Sequence, residues 1–143
     1  MVVELCPDSF NPYERIQEHE AQHLAVGCFG ATTLFVGTMR DFNMGSDVKS
    51  LYLEHYPGMT EKQLTELATQ ALAQWPVEDV LLLHRTGNVE PGDTIVLISV
   101  WSAHRDVAFE ACRFLIEALK EKATFWKKEI LSNGEARWVV PKA

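Results

Sequence analysis

The strongest constraint on this chain's fold is the stretch TIVLISVWSAHRDVAFEACRFLIEALKEK, residues 94–122. Its first ten residues are apolar almost throughout and follow the turn signal Pro91-Gly92-Asp93, which reads as a strand over 94–103. From near Asp106 to about Lys122 the period changes. Ala108, Ala111, Cys112, Leu115, Ala118 and Leu119 recur at three- and four-residue spacing, the apolar stripe of a long helix.

The rest of the chain is organised around that unit. ATTLFVGTMR, from Ala31, reads as a buried strand ending near Arg40, and DFNMGSD as a polar loop. VKSLYLEH, 48–55, reads as a strand and YPGM as a turn. Thr60 and Gln63 have capping-box spacing, and Leu64, Leu67, Ala68, Ala71, Leu72 and Trp75 give a helix that Pro76 stops. VLLLHR, 80–85, is a further strand. TFWKKEIL and ARWVV flank SNGE, whose Asn133-Gly134 signals a hairpin. Residues 13–25 can form a helix, and the first thirty residues are otherwise the least readable. The order strand, strand, helix, strand, strand, helix, hairpin implies an α+β fold, with helices packed on a largely antiparallel sheet. No repeat, low-complexity tract or linker interrupts it, so residues 1–143 are expected to form one domain.

Composition narrows the function classes. No apolar run approaches the ~20 residues of a membrane span, and the start, MVVELCPDSFNPYER, lacks the pattern of a secretory signal. A cytoplasmic location is expected. Cys6, Cys28 and Cys112 form no CxxC pair, which argues against a disulfide framework or a cysteine-rich zinc site. The net charge is −7, but residues 119–143 hold six Lys/Arg against three Glu, while the remainder holds seven against seventeen Asp/Glu. General nucleic-acid binding is disfavoured; a local pocket for a small anion is not.

Among motifs, HEAQH, His19 to His23, matches H-E-x-x-H, which on a helix would present two zinc ligands and a general base. A catalytic zinc needs a third protein ligand. The metzincin continuation fails at Val26, where it requires Gly, and a surface helix with chance histidines is the plainer reading. No P-loop, dinucleotide fingerprint or nucleophile elbow occurs. No metal or cofactor is called for.

The basic residues are more informative. His104 and Arg105 stand where a strand turns into a helix, and helix N-termini attract anions that Arg can clasp. Arg40 sits at a strand end entering a polar loop. Lys120 and Lys122 lie on the last turn of the long helix, where cations suit the dipole. Lys127 and Lys128 follow Phe125-Trp126 on a strand, so one should face a pocket and the other solvent or a partner. A lysine among aromatics can have a lowered pKa, suited to nucleophilic or acid–base work. Fifteen residue steps from Arg105 to Lys120 span about 22 Å of helix. One small ligand cannot bridge that. Either there are two sites, or a second copy of the chain brings its His104 and Arg105 beside these lysines.

FVGTMRDFNMG, LYLEHYPGMTEKQL, HRTGNVEPGD, WSAHRDVAFEACRFLIEALKEKATFWKKE and RWV together resemble the large, catalytic subunit of molybdopterin synthase, over about residues 31–140. The resemblance implies an α/β-hammerhead-like fold with added antiparallel strands. It implies a sulfurtransferase that converts cyclic pyranopterin monophosphate into molybdopterin, within molybdenum cofactor biosynthesis. Sulfur would come from the C-terminal Gly-Gly thiocarboxylate of a small ubiquitin-like subunit, in a heterotetramer with a large-subunit homodimer at its centre. The implied substrate pocket comprises Thr38, Met39, Arg40, His104, Arg105, Lys120, Lys127, Lys128 and Glu129, with Lys120 and Lys127 needed for chemistry. His104 and Arg105 would come from the neighbouring large subunit, and Phe125 and Trp126 would wall the lysine region. The alternative is a non-catalytic anion-binding or adaptor module on the same fold.

Overall fold

In the computed structural model, residues 1–43, 45–123 and 125–139 are described. Met44, Thr124, Val140 and the PKA tail, parts of the expected loop, strand and hairpin, lie outside them. In chain order the elements are β1 (Val2–Cys6), α1 (Pro12–His23), β2 (Ala31–Thr38), β3 (Phe42–Asn43), β4 (Ser46–His55), α2 (Met59–Gln74), β5 (Val77–Arg85), β6 (Gly87–Val89), β7 (Thr94–Ser102), α3 (Arg105–Lys122), β8 (Phe125–Leu131) and β9 (Ala136–Val139).

β7 and α3 form the centre, as their sequence requires. One sheet has the order β1-β5-β7-β2, with β1 parallel to β5 and the other pairs antiparallel. α2 and α3 pack against it. Leu64, Leu67, Ala68 and Ala71 of α2 meet Ala111, Cys112, Leu115 and Leu119 of α3 over Val80, Leu82, Ile98 and Val100. Each fully buried aliphatic side chain of this kind contributes about 1.5–3 kcal/mol over its exposed state. The opposite face is covered by α1, where Ile16 joins Leu81, Leu83, Leu97 and Trp101. Asn11 caps α1, its side chain accepting from the Tyr13 and Glu14 amides, with Pro12 at the first helical position.

The second sheet is built on β4, which pairs with β3, β6 and β8, and β8 pairs in turn with β9. Met39, Val48, Leu51, Leu53, Val89 and Leu131 form its core. The chain crosses from the first sheet to the second at Thr86, between β5 and β6, and Gly87 takes φ 78 there, a conformation that favours glycine.

The expected α+β layout and C-terminal hairpin are present. Four local expectations need correction. The segment read as a polar loop folds in part into a hairpin, with Phe42 opposite Asp47 and Asn43 opposite Ser46. α2 starts at Met59, not after Thr60. Its N-cap is Gly58, whose amide donates to Glu61 Oε2 at 3.0 Å, while Thr60 Oγ1 accepts from the Tyr56 amide at 2.9 Å. β1 and β6 were not anticipated. Both are too short to show a period, and their partners are distant in sequence.

Candidate functional site

α3 follows β7 after a two-residue turn and returns along the sheet, packed on β7 and β2. The two ends of this helix therefore lie at opposite ends of the sheet. Its N-terminus is beside Ser102 and Gly30. Its C-terminus is at the end where β2 finishes, because Gly37 and Thr38 pair with Val96 and Thr94.

At the N-terminal end, His104 is the N-cap of α3, in an extended conformation and without a side-chain cap bond. His104 and Arg105 are exposed. With Gly30, Ala31, Ala103 and Asp106 they line an open depression of about 570 Å³. The uncapped amides and the Arg105 guanidinium suit an anion; the Asp106 carboxylate in the first turn opposes one. Gly30 permits the close approach of β2 to this corner. Its amide donates to the Ser102 carbonyl at 2.9 Å, and a Cβ on it would stand 2.6 Å from the Ala103 carbonyl oxygen.

The lysines gather at the other end. On β8, Phe125, Lys127, Glu129 and Leu131 share one face, opposite the buried Leu51 and Leu53 of β4. Lys128 points the other way, opposite Tyr52 and Trp138, with its Nζ 5.7 Å from the Trp138 ring centroid. The two lysines thus alternate between the faces of β8. Lys127 lies on the face of the buried Leu51 and Leu53, but its own side chain is exposed, while Lys128 is partly covered. Desolvation lowers the Lys127 pKa first, the Lys120 ammonium lowers it further, and Glu129 opposes both. So Lys120 and Lys127 act on each other across the α3–β8 corner. Among the described residues neither forms an ion pair.

Thr38, Met39 and Arg40 complete the same end by topology. Thr38 and Arg40 are exposed, and Arg40 lies over the Phe42 ring at 5.3 Å. Met39 is buried, its amide donating to Asp93 and its carbonyl accepting from Gly92, both at 2.9 Å. Glu129 is buried with both oxygens engaged: Oε1 accepts from Arg137 Nε at 2.8 Å and Oε2 from Asn43 Nδ2 at 2.9 Å. It ties β8 to β9 and β3.

Two expectations about the surroundings change. Phe125 and Trp126, expected to wall one region, face opposite sides of β8. Phe125 packs into the helix-covered core, while Trp126 opens onto a depression of about 510 Å³ with Glu54, His55, Tyr56, Pro57 and Trp138. The histidines of HEAQH are not a pair of free surface side chains either. His19 is buried, stacks on Trp101 at 4.8 Å and donates from Nε2 to Asp79 at 2.7 Å. Glu20 accepts from Trp101 Nε1 at 2.9 Å. Burial lowers the His19 pKa despite its bond to Asp79, so the ring is neutral. Burial alone would raise the Asp79 carboxyl, but bonds from the Met1 amine, His19 and the Val80 amide hold it below its usual range. The motif docks α1 on the sheet, and no group of three metal-ligating side chains occurs among the described residues.

Sequence reasoning missed His84 and Arg137. His84 was read only as part of a strand, and its ring stacks on Phe125 at 3.8 Å. Arg137 sits opposite Glu129 only because the hairpin register places it there. No local signal marks either.

Comparison with known proteins agrees with this architecture. A family model described as MoaE protein matches residues 10–122. The molybdopterin synthase catalytic subunit of Pasteurella multocida is 54% identical over 110 residues, 77% of this chain and 73% of that protein. That of Pseudomonas aeruginosa is 44% identical over 139 residues, 97% of this chain and 90% of that protein. The solved molybdopterin synthase from Staphylococcus aureus superposes with a TM-score of 0.85 at 30% identity, covering 96% of each chain. The molybdopterin biosynthesis MoaE protein of Burkholderia ambifaria superposes with a TM-score of 0.81 at 38% identity, covering 99% of this chain and 90% of that one. Matched over most of its length in both sequence and fold, the chain belongs to the MoaE protein family.

Proposed function

We propose that this chain is the catalytic subunit of a molybdopterin synthase. It transfers sulfur from the C-terminal thiocarboxylate of a small ubiquitin-like subunit to cyclic pyranopterin monophosphate, forming the dithiolene of molybdopterin. The observation that carries the site assignment is the Lys120–Lys127 pair. Desolvation first and the Lys120 ammonium second lower the Lys127 pKa, and Glu129, the carboxylate that opposes them, is committed to Arg137 and Asn43; the two lysines form a positive centre that an anion completes. A phosphate-bearing pterin and a thiocarboxylate are both anionic.

The roles follow from position. Lys127 stabilises the negative charge that develops as sulfur is transferred, and its lowered pKa also suits it to give up a proton. Lys120, exposed on the last turn of α3, meets the incoming tail of the small subunit. Arg40 with Thr38 forms the rim that holds the phosphate, and Met39 shapes the wall behind them. Glu129 serves the pocket by keeping β8, β9 and β3 in register. Lys128, on the opposite face, belongs to the outer rim. His104 and Arg105 act on the pocket of a second copy, since their own lysines are about 22 Å away along α3. A homodimer carrying two small subunits satisfies that geometry. Free Cys6, Cys28 and Cys112 suit a reducing compartment and a cytoplasmic location. No helix among the described residues is long and apolar enough to cross a membrane.

The test is a single-turnover reaction of this protein, a thiocarboxylated small subunit and the pterin, followed by mass spectrometry. Loss of thiocarboxylate and gain of dithiolene should occur only with this chain present, and Lys120→Ala and Lys127→Ala should each lose at least about a hundredfold in rate while staying folded. Wild-type turnover in both variants sinks the site assignment. Binding of both substrates without transfer by the wild-type protein makes the chain an adaptor.

A further inference from the structure

Arg85 is a buried cation at the junction of the two sheets. It is the last residue of β5, 4% exposed, on the strand face that also carries Leu81 and Leu83. Its Nε donates to the Cys6 carbonyl at 3.2 Å, and its Nη2 to the Pro7 and Asn88 carbonyls at 3.3 and 2.8 Å. These carbonyls belong to the end of β1, the residue after it and β6, so one guanidinium ties the first sheet to the second. The remaining nitrogen, Nη1, is buried and has no hydrogen-bond partner among the described residues. It forms an ion pair with Asp93, at 3.8 Å from Oδ2.

Asp93 belongs to the turn between β6 and β7, and that turn brackets Met39. The Asp93 carboxylate accepts from the Glu90 amide at 3.0 Å, and the Asp93 amide donates to the Glu90 carbonyl at 3.0 Å, which closes the turn on itself. The Met39 amide donates to the Asp93 carbonyl, and the Gly92 amide donates to the Met39 carbonyl, both at 2.9 Å. Met39 is buried, and its neighbours Thr38 and Arg40 are exposed. The turn therefore sets the backbone of the rim, and the turn carries the carboxylate that pairs with the buried guanidinium. We propose that Arg85 and Asp93 are positioning residues for Thr38 and Arg40: the pair fixes the 90–93 turn, and the turn presents the rim to the phosphate of the substrate. The proposal rests on the reading of Thr38 and Arg40 as the rim that holds the phosphate.

Stability alone does not account for a buried arginine at this position. Taking a guanidinium out of water is costly, and replacing a buried ion pair by apolar side chains is often neutral or stabilising. What the guanidinium supplies is direction. It is planar, with its donors in a fixed fork, so the three carbonyls that hold Nε and Nη2 also fix where Nη1 stands relative to Asp93. An apolar side chain fills the space without fixing the turn, and a lysine supplies the charge without the fork. A rim set in advance does not have to be ordered when the phosphate arrives, and that ordering would otherwise weaken binding.

Arg85→Met keeps an unbranched side chain and removes the guanidinium; Asp93→Asn keeps an acceptor for the Glu90 amide and removes the charge. Each is made in the full chain and assayed with the thiocarboxylated small subunit and cyclic pyranopterin monophosphate. The pterin should bind about tenfold more weakly to either variant, with the transfer rate at saturation changed much less. Deuterium exchange of the Met39 amide should speed up about tenfold in both, against the β7 amides as the reference for global opening, because its bond to the Asp93 carbonyl opens more often. The double variant should lose no more than the worse of the two alone. In an Arg40→Ala protein, Arg85→Met should add no further loss of pterin binding, because the contact it positions is already gone. A role in stability alone would lower the melting temperature and leave pterin binding and relative Met39 exchange as in wild type. That result overturns the proposal, as does a full tenfold loss on top of Arg40→Ala. If Arg85→Met does not fold, Asp93→Asn, at the partly exposed end of the pair, decides by the same readouts. Wild-type pterin binding by Arg40→Ala would instead remove the phosphate-rim reading, and Met39 exchange would still decide whether the pair holds the turn.

Discussion

Two inactive variants of this chain should restore each other. Arg105→Ala removes the guanidinium of the proposed anion-binding corner at one end of α3, and Lys127→Ala removes an ammonium of the proposed lysine centre at the other. The ends are separated by an 18-residue helix, and Arg105 to Lys120 is about 22 Å. No small ligand spans that within one chain, so the proposed site, which uses both ends, takes one end from each of two copies. In an equal mixture that exchanges subunits at random, half the dimers carry one chain of each kind. Each mixed dimer has one site with both substitutions and one with neither. Activity should therefore rise to about a quarter of wild type, from two proteins that each lose about a hundredfold alone, as loss of a charged contact to a phosphate or a developing charge implies. The assay is single-turnover sulfur transfer before and after co-refolding, with native mass spectrometry to count mixed dimers. If mixed dimers form and activity stays at the level of the separate variants, the two ends do not share a site. If Arg105→Ala alone is fully active, the α3 N-terminus is not part of the pocket.

Two further outcomes follow from local geometry. His84 has its pKa depressed from 6.5 to about 4, so as pH falls below about 6.5 the unfolded chain takes a proton that the folded one refuses. Stability from this residue is full above pH 6.5 and is lost as pH falls toward 4, by about 2–3 kcal/mol at pH 4.5; urea midpoints of wild type and His84→Phe at pH 7.5 and 4.5 should differ in their pH dependence by that amount, and parallel curves would refute it. Gly30→Ala puts a Cβ 2.6 Å from the Ala103 carbonyl oxygen. The β2–α3 corner must shift, which should cost about 1–3 kcal/mol in thermal unfolding and weaken pterin binding; unchanged stability and binding would show that the corner yields freely.

Much of the scaffold was legible because it is periodic. α3 and β7 were read to within a residue or two from an apolar stripe and an apolar run. The β8–β9 hairpin followed from Asn133-Gly134, and Gly134 takes φ 88 there. β1 is five residues and β6 three, and neither carries a pattern of its own; pairing with β5 and β4 makes them strands. The start of α2 was misplaced because Thr60 and Gln63 have capping-box spacing, whereas the helix starts two residues earlier, with Glu61 accepting from the Gly58 amide and no side-chain cap at Gly58. HEAQH showed which residues share a helix face but not what that face meets, since Asp79 and Trp101 lie 60 and 82 positions from His19 and are brought to it only by the sheet.

The site divides in the same way. Helix rise and strand alternation are properties of the backbone, so the sequence alone determined that Arg105 and Lys120 stand far apart and that Lys127 and Lys128 face opposite sides. It also placed the cationic residues at element ends. Which lysine shares the face of the buried core, how its pKa moves, and which ring His84 stacks on were decided by tertiary structure. Desolvation and charge coupling at Lys127 sum over groups from α3 and β8, and at His84 over β5 and β8. Those sums exist only once elements far apart in the chain are packed together.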